Sequence, residues 1–195
     1  MNLRRTSAAA FGSMAVCLLC SCASAPPTRF YEVATAPLQP MTATPRAELL
    51  VEEVVVPESL NRTEIIVQMA ETEFQVLDGQ RWLSPLDDQL ARALFVGLQS
   101  ALPDVWVTQR RAAGSVAKRY TLHVAIQTMT LSTKSVDLVA VWTISGDRSI
   151  PGRPGGAVIH VPVATPAFEA IPPAVSIATQ RLASEIASTL SALVP

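Results

Sequence analysis

Cysteine is nearly missing from this chain: of 195 residues only Cys17, Cys20 and Cys22 carry a thiol, all close to the amino terminus. The body beyond them has no means of forming a disulfide, a thiolate nucleophile or a cysteine zinc site, so an exported domain built from it must be held by burial alone. Histidine is almost as scarce. His123 and His160 are the two, both in strand-like segments, and neither belongs to an HxxH or HExxH spacing that would hold a metal or poise an acid–base pair. No G-x-S-x-G elbow presents a serine nucleophile. Gly152, Gly155 and Gly156 share a loop with Arg148 and Arg153, but no phosphate-cradling pattern opens a helix there. Asp87 and Asp88 are adjacent carboxylates that a first helical turn explains. No catalytic residue, metal ligand or cofactor is assigned beyond a covalent lipid, and enzymatic activity is not expected.

A basic excess is missing too. Lys and Arg number 15 against 16 Asp and Glu, so the electrostatic footprint of a nucleic-acid binder is absent and nucleic acid is not expected as a partner. Only one markedly apolar stretch occurs, near the start. No second one reaches the roughly 18 to 20 residues that a membrane-spanning helix needs.

What is present begins with a leader. Residues 1–5 are a short basic segment containing Arg4 and Arg5, residues 8–19 are apolar, and Ser21 is small, as a cleavage site requires. The sequence Leu19-Cys20-Ser21-Cys22 resembles the bacterial lipobox, a branched apolar residue and two small ones before the lipidated cysteine. Cys20 and Cys17 fit less well, because Leu19 and Val16 are bulky where a small residue must enter the peptidase. Residues 1–21 are therefore expected to be a lipoprotein signal peptide and Cys22 the lipidated first residue. Acyl chains contribute about 0.8 kcal/mol per buried CH₂, so several together hold essentially permanently. Ala23 stands where enterobacterial lipoproteins retained at the inner membrane have aspartate, and that resemblance points to the periplasmic face of the outer membrane. Residues 22–29 then form a short tether and residues 30–195 a single domain of ordinary size. Without the leader the charge balance is 13 basic against 16 acidic residues, a formal charge of about −3.

Along the body, periodicity separates strands from helices. Residues 30–33 and 48–56 read as strands, with a proline-rich loop between them. Residues 62–69 and 73–77 read as a strand pair, followed by turn chemistry at Asp78-Gly79. Ser84-Pro85-Leu86-Asp87 reads as a helix start with Ser84 as N-cap and Pro85 in first position. Leu86, Leu90, Leu94, Leu98 and Ala101 form its apolar stripe and Pro103 ends it. Residues 104–108 are a short strand. From Arg119, Tyr120, Leu122, Val124 and Ile126 alternate with Thr121, His123, Ala125 and Gln127. The apolar phase then slips to Met129 and Leu131, which predicts a bulge or a strand end. Residues 136–144 form a long strand apolar on both faces, 146–156 a turn-rich loop, 157–163 a strand and 165–173 a proline-broken connection. Residues 174–193 form a helix with Val175, Ala178, Leu182, Ile186, Leu190 and Leu193 in register. The fold class is α/β in the sense of an α+β sandwich, a mixed, mostly antiparallel sheet with two main helices packed on one face.

One block is more specific than these patterns. Pro57-Glu58-Ser59-Leu60-Asn61-Arg62, then a strand, then Arg81-Trp82-Leu83-Ser84-Pro85-Leu86 opening a helix, resembles the ABC-transport auxiliary lipoproteins, the PqiC-like family. Arg29-Phe30-Tyr31 close behind the anchor, the Val-Ala-Val-Trp run at 139–142 and the Ala/Ser/Leu-rich last helix support the resemblance, which covers essentially the whole mature chain. Asn61 stands where the family pattern has aspartate, so no Asp–Arg pair is assigned there.

The resemblance implies a partner role. Such lipoproteins work with MCE-type systems of Gram-negative bacteria, which route phospholipid or other hydrophobic molecules across the periplasm. The chain would be the outer-membrane end, docked on the MCE-domain protein and self-associated as a homo-oligomer. Leu60, Asn61, Arg62, Arg81 and Trp82 are the candidate interaction residues, although Trp82 also suits a core anchor, and the two arginines also suit pairing with Glu64, Glu73 or a helix end. The alternative function is a lipid carrier that holds an acyl chain between sheet and helices.

Overall fold

The alternation that begins at Arg119 is realised as one strand, β6 (Arg119–Leu131), in which Tyr120, Leu122, Val124 and Ile126 are all buried. It sits at the centre of a five-stranded sheet with β2 (Ala47–Val55), β5 (Val105–Thr108), β7 (Ser135–Gly146) and β8 (Arg153–Pro162), in the order β5-β2-β6-β7-β8. β2 runs parallel to both β5 and β6, while β7 is antiparallel to β6 and β8. The computed structural model describes residues 27–38, 40, 44–110, 118–146 and 152–194. The leader and Cys22 lie outside the described residues.

The remaining strands form a second, three-stranded sheet in the order β1-β4-β3, made by β1 (Arg29–Tyr31), β3 (Glu64–Ala70) and β4 (Glu73–Trp82). The class is the mixed α+β arrangement that the periodicity indicates. The division into two sheets is the added finding. Two helices cover the larger sheet: α2 (Ile171–Ser191) packs on β7 and β8, and α1 (Leu86–Ala101) packs on β2, β5 and α2. The apolar face of β6 and β7, including Leu138, Ala140, Trp142 and Ile144, is buried with the stripes of both helices in a continuous core. Each such Leu or Ile taken fully out of water contributes about 1.5–3 kcal/mol.

Five local expectations change. The Asp78-Gly79 pair does not end its strand. Gly79 has φ +68°, and residues 77–80 of β4 stand opposite the single residue Ile65 of β3, a large bulge that bends β4 so that Gln80, Arg81 and Trp82 reach β1. The turn chemistry is used inside the strand. Ser84 does not cap α1 with its side chain. Its carbonyl instead accepts a hydrogen bond from Gln89 Nε2 at 2.8 Å, while Asp87 and Asp88 occupy the positive first turn. At the other end of α1, Ala101 is exposed, and the stripe closes with Leu98 and Leu102.

β8 starts four residues before Ala157, taking in Pro154, Gly155 and Gly156. An edge strand tolerates proline because one side of its ladder needs no donor. Gly155 is opposite Trp142, where a side chain would meet the indole. Likewise α2 begins at Ile171 with Pro172 and Pro173 in its first turn, where missing N–H groups cost no helical hydrogen bond.

The amino-terminal segment is tied to both helices. Val33 N donates to Gln89 Oε1 at 2.8 Å, and Ala34 N donates to Ser176 Oγ at 2.9 Å. Gln89 and Ser176 are both buried, so each side chain satisfies a backbone group that would otherwise be left without a partner.

Candidate functional site

The two halves of the 57–90 block meet in space. Trp82 N donates to Thr63 O at 2.7 Å and Leu86 N to Arg62 O at 3.2 Å, so the loop after Pro57 is stitched to the end of β4 and the start of α1. Ahead of that seam, Glu58–Leu60 forms a single 3-10 turn closed by Leu60 N to Pro57 O and Asn61 N to Glu58 O. The turn leaves Leu60 half-buried beside the β3–β4 hairpin.

The five candidate residues are thereby divided. Leu60 lines a cleft, and Asn61 and Arg62 lie on the exposed rim of the same turn, Arg62 Nε 3.7 Å from Glu64 Oε2. Arg81 is on β4, in register with Phe30 of β1 and Glu64 of β3. Its Nη1 is buried without a hydrogen-bond partner among the described residues. Trp82 is 1% exposed and sits in the core, so it fixes the seam from within and contributes no accessible surface.

The cleft has a volume of about 370 Å³. It is lined by Pro57, Ser59 and Leu60 of the turn, Ile66 of β3, Phe74 of β4 and residues 127–131 at the end of β6. Its position follows from two sequence features. The pairing of β6 with β7 shifts register between Ile126 and Thr128, leaving Gln127 as an extra residue, as the phase slip indicates. The hairpin has apolar residues on both faces: Ile65, Val67 and Leu77 are buried, while Ile66, Phe74 and Val76 look outward, Phe74 being 59% exposed. No charged side chain lines the cleft. Such a site can hold an apolar group without an ion to desolvate.

A second cleft of about 390 Å³ abuts the first, lined by residues 68–71 of the hairpin and Ser132, Thr133 and Lys134 of the β6–β7 turn. Gln68 of this cleft and Phe74 of the apolar one are cross-strand partners, and Leu131 and Ser132 are adjacent in the chain. The groove between the two sheets is thus apolar at one end and polar at the other. Apart from Leu60, none of its lining belongs to the five candidate interaction residues. The phase slip at Gln127 and the doubled apolar pattern of residues 65–67 were the available signals.

Elsewhere, Asp137 of β7 accepts a hydrogen bond from Ser135 Oγ at 2.6 Å and meets His160 Nδ1 of β8 at 2.6 Å. Partial burial pushes this carboxyl up. The hydrogen bonds from Ser135 and His160, with the charge of the imidazolium, outweigh it and hold Asp137 below the ordinary carboxylate range. The carboxylate stands between hydroxyl and ring, the reverse of an order in which imidazole would take a serine proton. Among the described residues no group of three or more His, Cys, Asp or Glu is placed to hold a metal, and no helix is long and apolar enough to cross a membrane.

Comparison with known proteins places this architecture. A solved structure of an uncharacterized protein superposes with a TM-score of 0.68 at 19% identity, covering 85% of this chain and 99% of that one. A crystal structure of a Xanthomonas campestris protein superposes with a TM-score of 0.64 at 14% identity over the same shares. These share the fold. Over 78 residues the chain is 33% identical to the intermembrane transport lipoprotein PqiC of Escherichia coli, and equally to PqiC of Shigella flexneri. That match spans 40% of this chain and 40% of each relative. The family model described as ABC-type transport auxiliary lipoprotein component matches residues 31–187, from β1 into the last turns of α2, and the chain therefore belongs to the ABC-type transport auxiliary lipoprotein family.

Proposed function

We propose that this chain is an outer-membrane-anchored periplasmic lipoprotein of a Gram-negative bacterium, serving as the auxiliary component of an MCE/ABC-type intermembrane lipid transport system. In this reading residues 1–21 are removed on export, Cys22 carries the acyl chains and residues 30–195 form the working body. The body acts by docking on the MCE-domain protein of the same system and by self-association. The observation that carries the reading is the family match over residues 31–187, which takes up directly behind the tether. The name of the Escherichia coli relative, an intermembrane transport lipoprotein, supports it.

The body's surface chemistry is compatible with such a role. Its exposed rim at Asn61 and Arg62 lies on a loop held rigidly by the Thr63–Trp82 and Arg62–Leu86 hydrogen bonds, a fixed platform of the kind on which binding residues concentrate.

The test is a crosslinking pull-down from membranes of cells making the parent chain or Cys22→Ala. Recovery of an MCE-domain protein with the parent, together with loss of both membrane residence and clickable-palmitate labelling in the variant, is the expected result. Recovery of no MCE-domain protein, or equal labelling of parent and variant, would overturn it.

A further inference from the structure

The two-part groove between the sheets suits one kind of occupant. Its apolar end, with Leu60, Ile66, Phe74 and Met129 and no charge, matches a hydrocarbon chain. At about 370 Å³ it falls within the range of about 300–1,000 Å³ usual for small-ligand sites. Its polar end carries one charge of each sign, Lys134 and Glu71, with the hydroxyl of Thr133 beside them, while the Ser132 hydroxyl is used within the turn, donating to Ser135 O at 2.9 Å. Neither charged side chain is in an ion pair among the described residues.

A fully anionic head would meet Glu71, and a fully cationic one would meet Lys134. A head bearing both charges satisfies both: phosphate toward Lys134 and the Thr133 hydroxyl, ammonium toward Glu71. We infer that the groove between the β3–β4 hairpin and the end of β6 is a binding site for a single-chain zwitterionic phospholipid, with its acyl chain at Leu60, Phe74 and Met129 and its head group between Lys134 and Glu71. The location differs from the space between sheet and helices, which is filled: Leu138, Leu182 and Ile186 are fully buried there, and Gly97 of α1 lies directly against Ala183 of α2.

The inference deepens the transport reading but is measured on the purified protein alone. Its failure would leave a docking role standing, and failure of docking would leave the groove.

The experiment titrates the mature full-length chain, as Cys22→Ser so that it carries no acyl group of its own, with 16-carbon lysophosphatidylethanolamine below its critical micelle concentration in a calorimeter. Saturable one-to-one binding is expected, weakening roughly fourfold for each methylene removed from the chain. Thr128→Trp, which puts an indole into the cleft from an exposed strand position, should weaken binding at least tenfold with an unchanged melting temperature. Leu60→Ala provides a second reading on an exposed turn. Lys134→Ala and Glu71→Ala should each weaken lysophospholipid binding severalfold, and only Lys134→Ala should weaken binding of palmitate. No saturable binding below the micelle concentration, full binding by both cleft variants, or palmitate bound as tightly as the lysophospholipid would overturn the assignment.

Discussion

Gly155 of β8 lies against the indole of Trp142 on β7, its register partner, so closely that a Cβ added at 155 would fall inside the van der Waals envelope of the ring. Trp142 is itself only 4% exposed, so the ring has little room to withdraw. Gly155→Val should cost about 1–3 kcal/mol by forcing the indole and the edge strand apart. At about 2–4 °C per kcal/mol for a chain of this size, a thermal melt would register it. Gly156→Ala is the control: the nearest atom, Ala140 O, would be 3.4 Å from its Cβ, and the change should stay within about 0.5 kcal/mol.

The helix–helix contact gives a sharper opposition of effects. Gly97→Ala improves intrinsic helix propensity by about 1 kcal/mol. Its new Cβ would nevertheless stand 2.8 Å from the Ala183 Cβ, and overpacking of this kind costs about 1–3 kcal/mol. The clash should win, with a net loss on the order of 1 kcal/mol. Adding Ala183→Gly should restore part of it, and denaturant unfolding of the two single variants and the pair would measure the coupling.

Gln89→Leu removes the acceptor for Val33 N and the donor to Ser84 O while keeping the volume of the side chain. Each buried backbone group left without a partner costs about 1–3 kcal/mol. Hydrogen exchange at Val33 should accelerate more than exchange in β6. Uniform acceleration in both would show that the bond does not act locally.

The Asp137–His160 contact sets an acid limb. Asp137 titrates below the ordinary carboxylate value, so it favours the folded state above the unfolded value of about 3.9, and that contribution is lost as pH falls through the lower folded value. A carbon-detected NMR titration should place the Asp137 midpoint below that of an exposed aspartate. Asp137→Asn should flatten the loss of stability in the same acid window, and an Asp137 midpoint at or above the ordinary value would refute the argument.

These features differ in how far they could be read from residues alone. β6 is legible to its last residue because one face alternates without interruption from Tyr120 to Ile126, and the slip to Met129 and Leu131 marks the bulge at Gln127. The stripes of α1 and α2 are legible for the same reason at helical period. Local chemistry misleads where tertiary contacts reuse it: Gly79 supplies a positive φ inside a strand, and Pro154-Gly155-Gly156 continues an edge strand beneath a tryptophan. The groove is least legible, since Leu60, Phe74 and Met129 are far apart in the chain and meet only when the hairpin folds against the end of β6. Of the three, Leu60 alone is an interaction candidate from sequence, through its place on a distinctive loop, while Met129 is marked by the phase slip.

The bonds from Val33 and Ala34 to Gln89 and Ser176 have a mechanical consequence. Whatever tugs on the chain ahead of Arg29 is resisted by β4, α1 and α2 together, through the parallel pairing of β1 and two buried side-chain acceptors. The outer ion pairs Arg29–Glu169 and Arg92–Glu32 brace the same corner, weakly in water. A strand of three residues would peel away under load if left to its own ladder. Fastened at both helices, it passes the strain into the whole body, and the domain holds its bearing relative to anything fixed at that end.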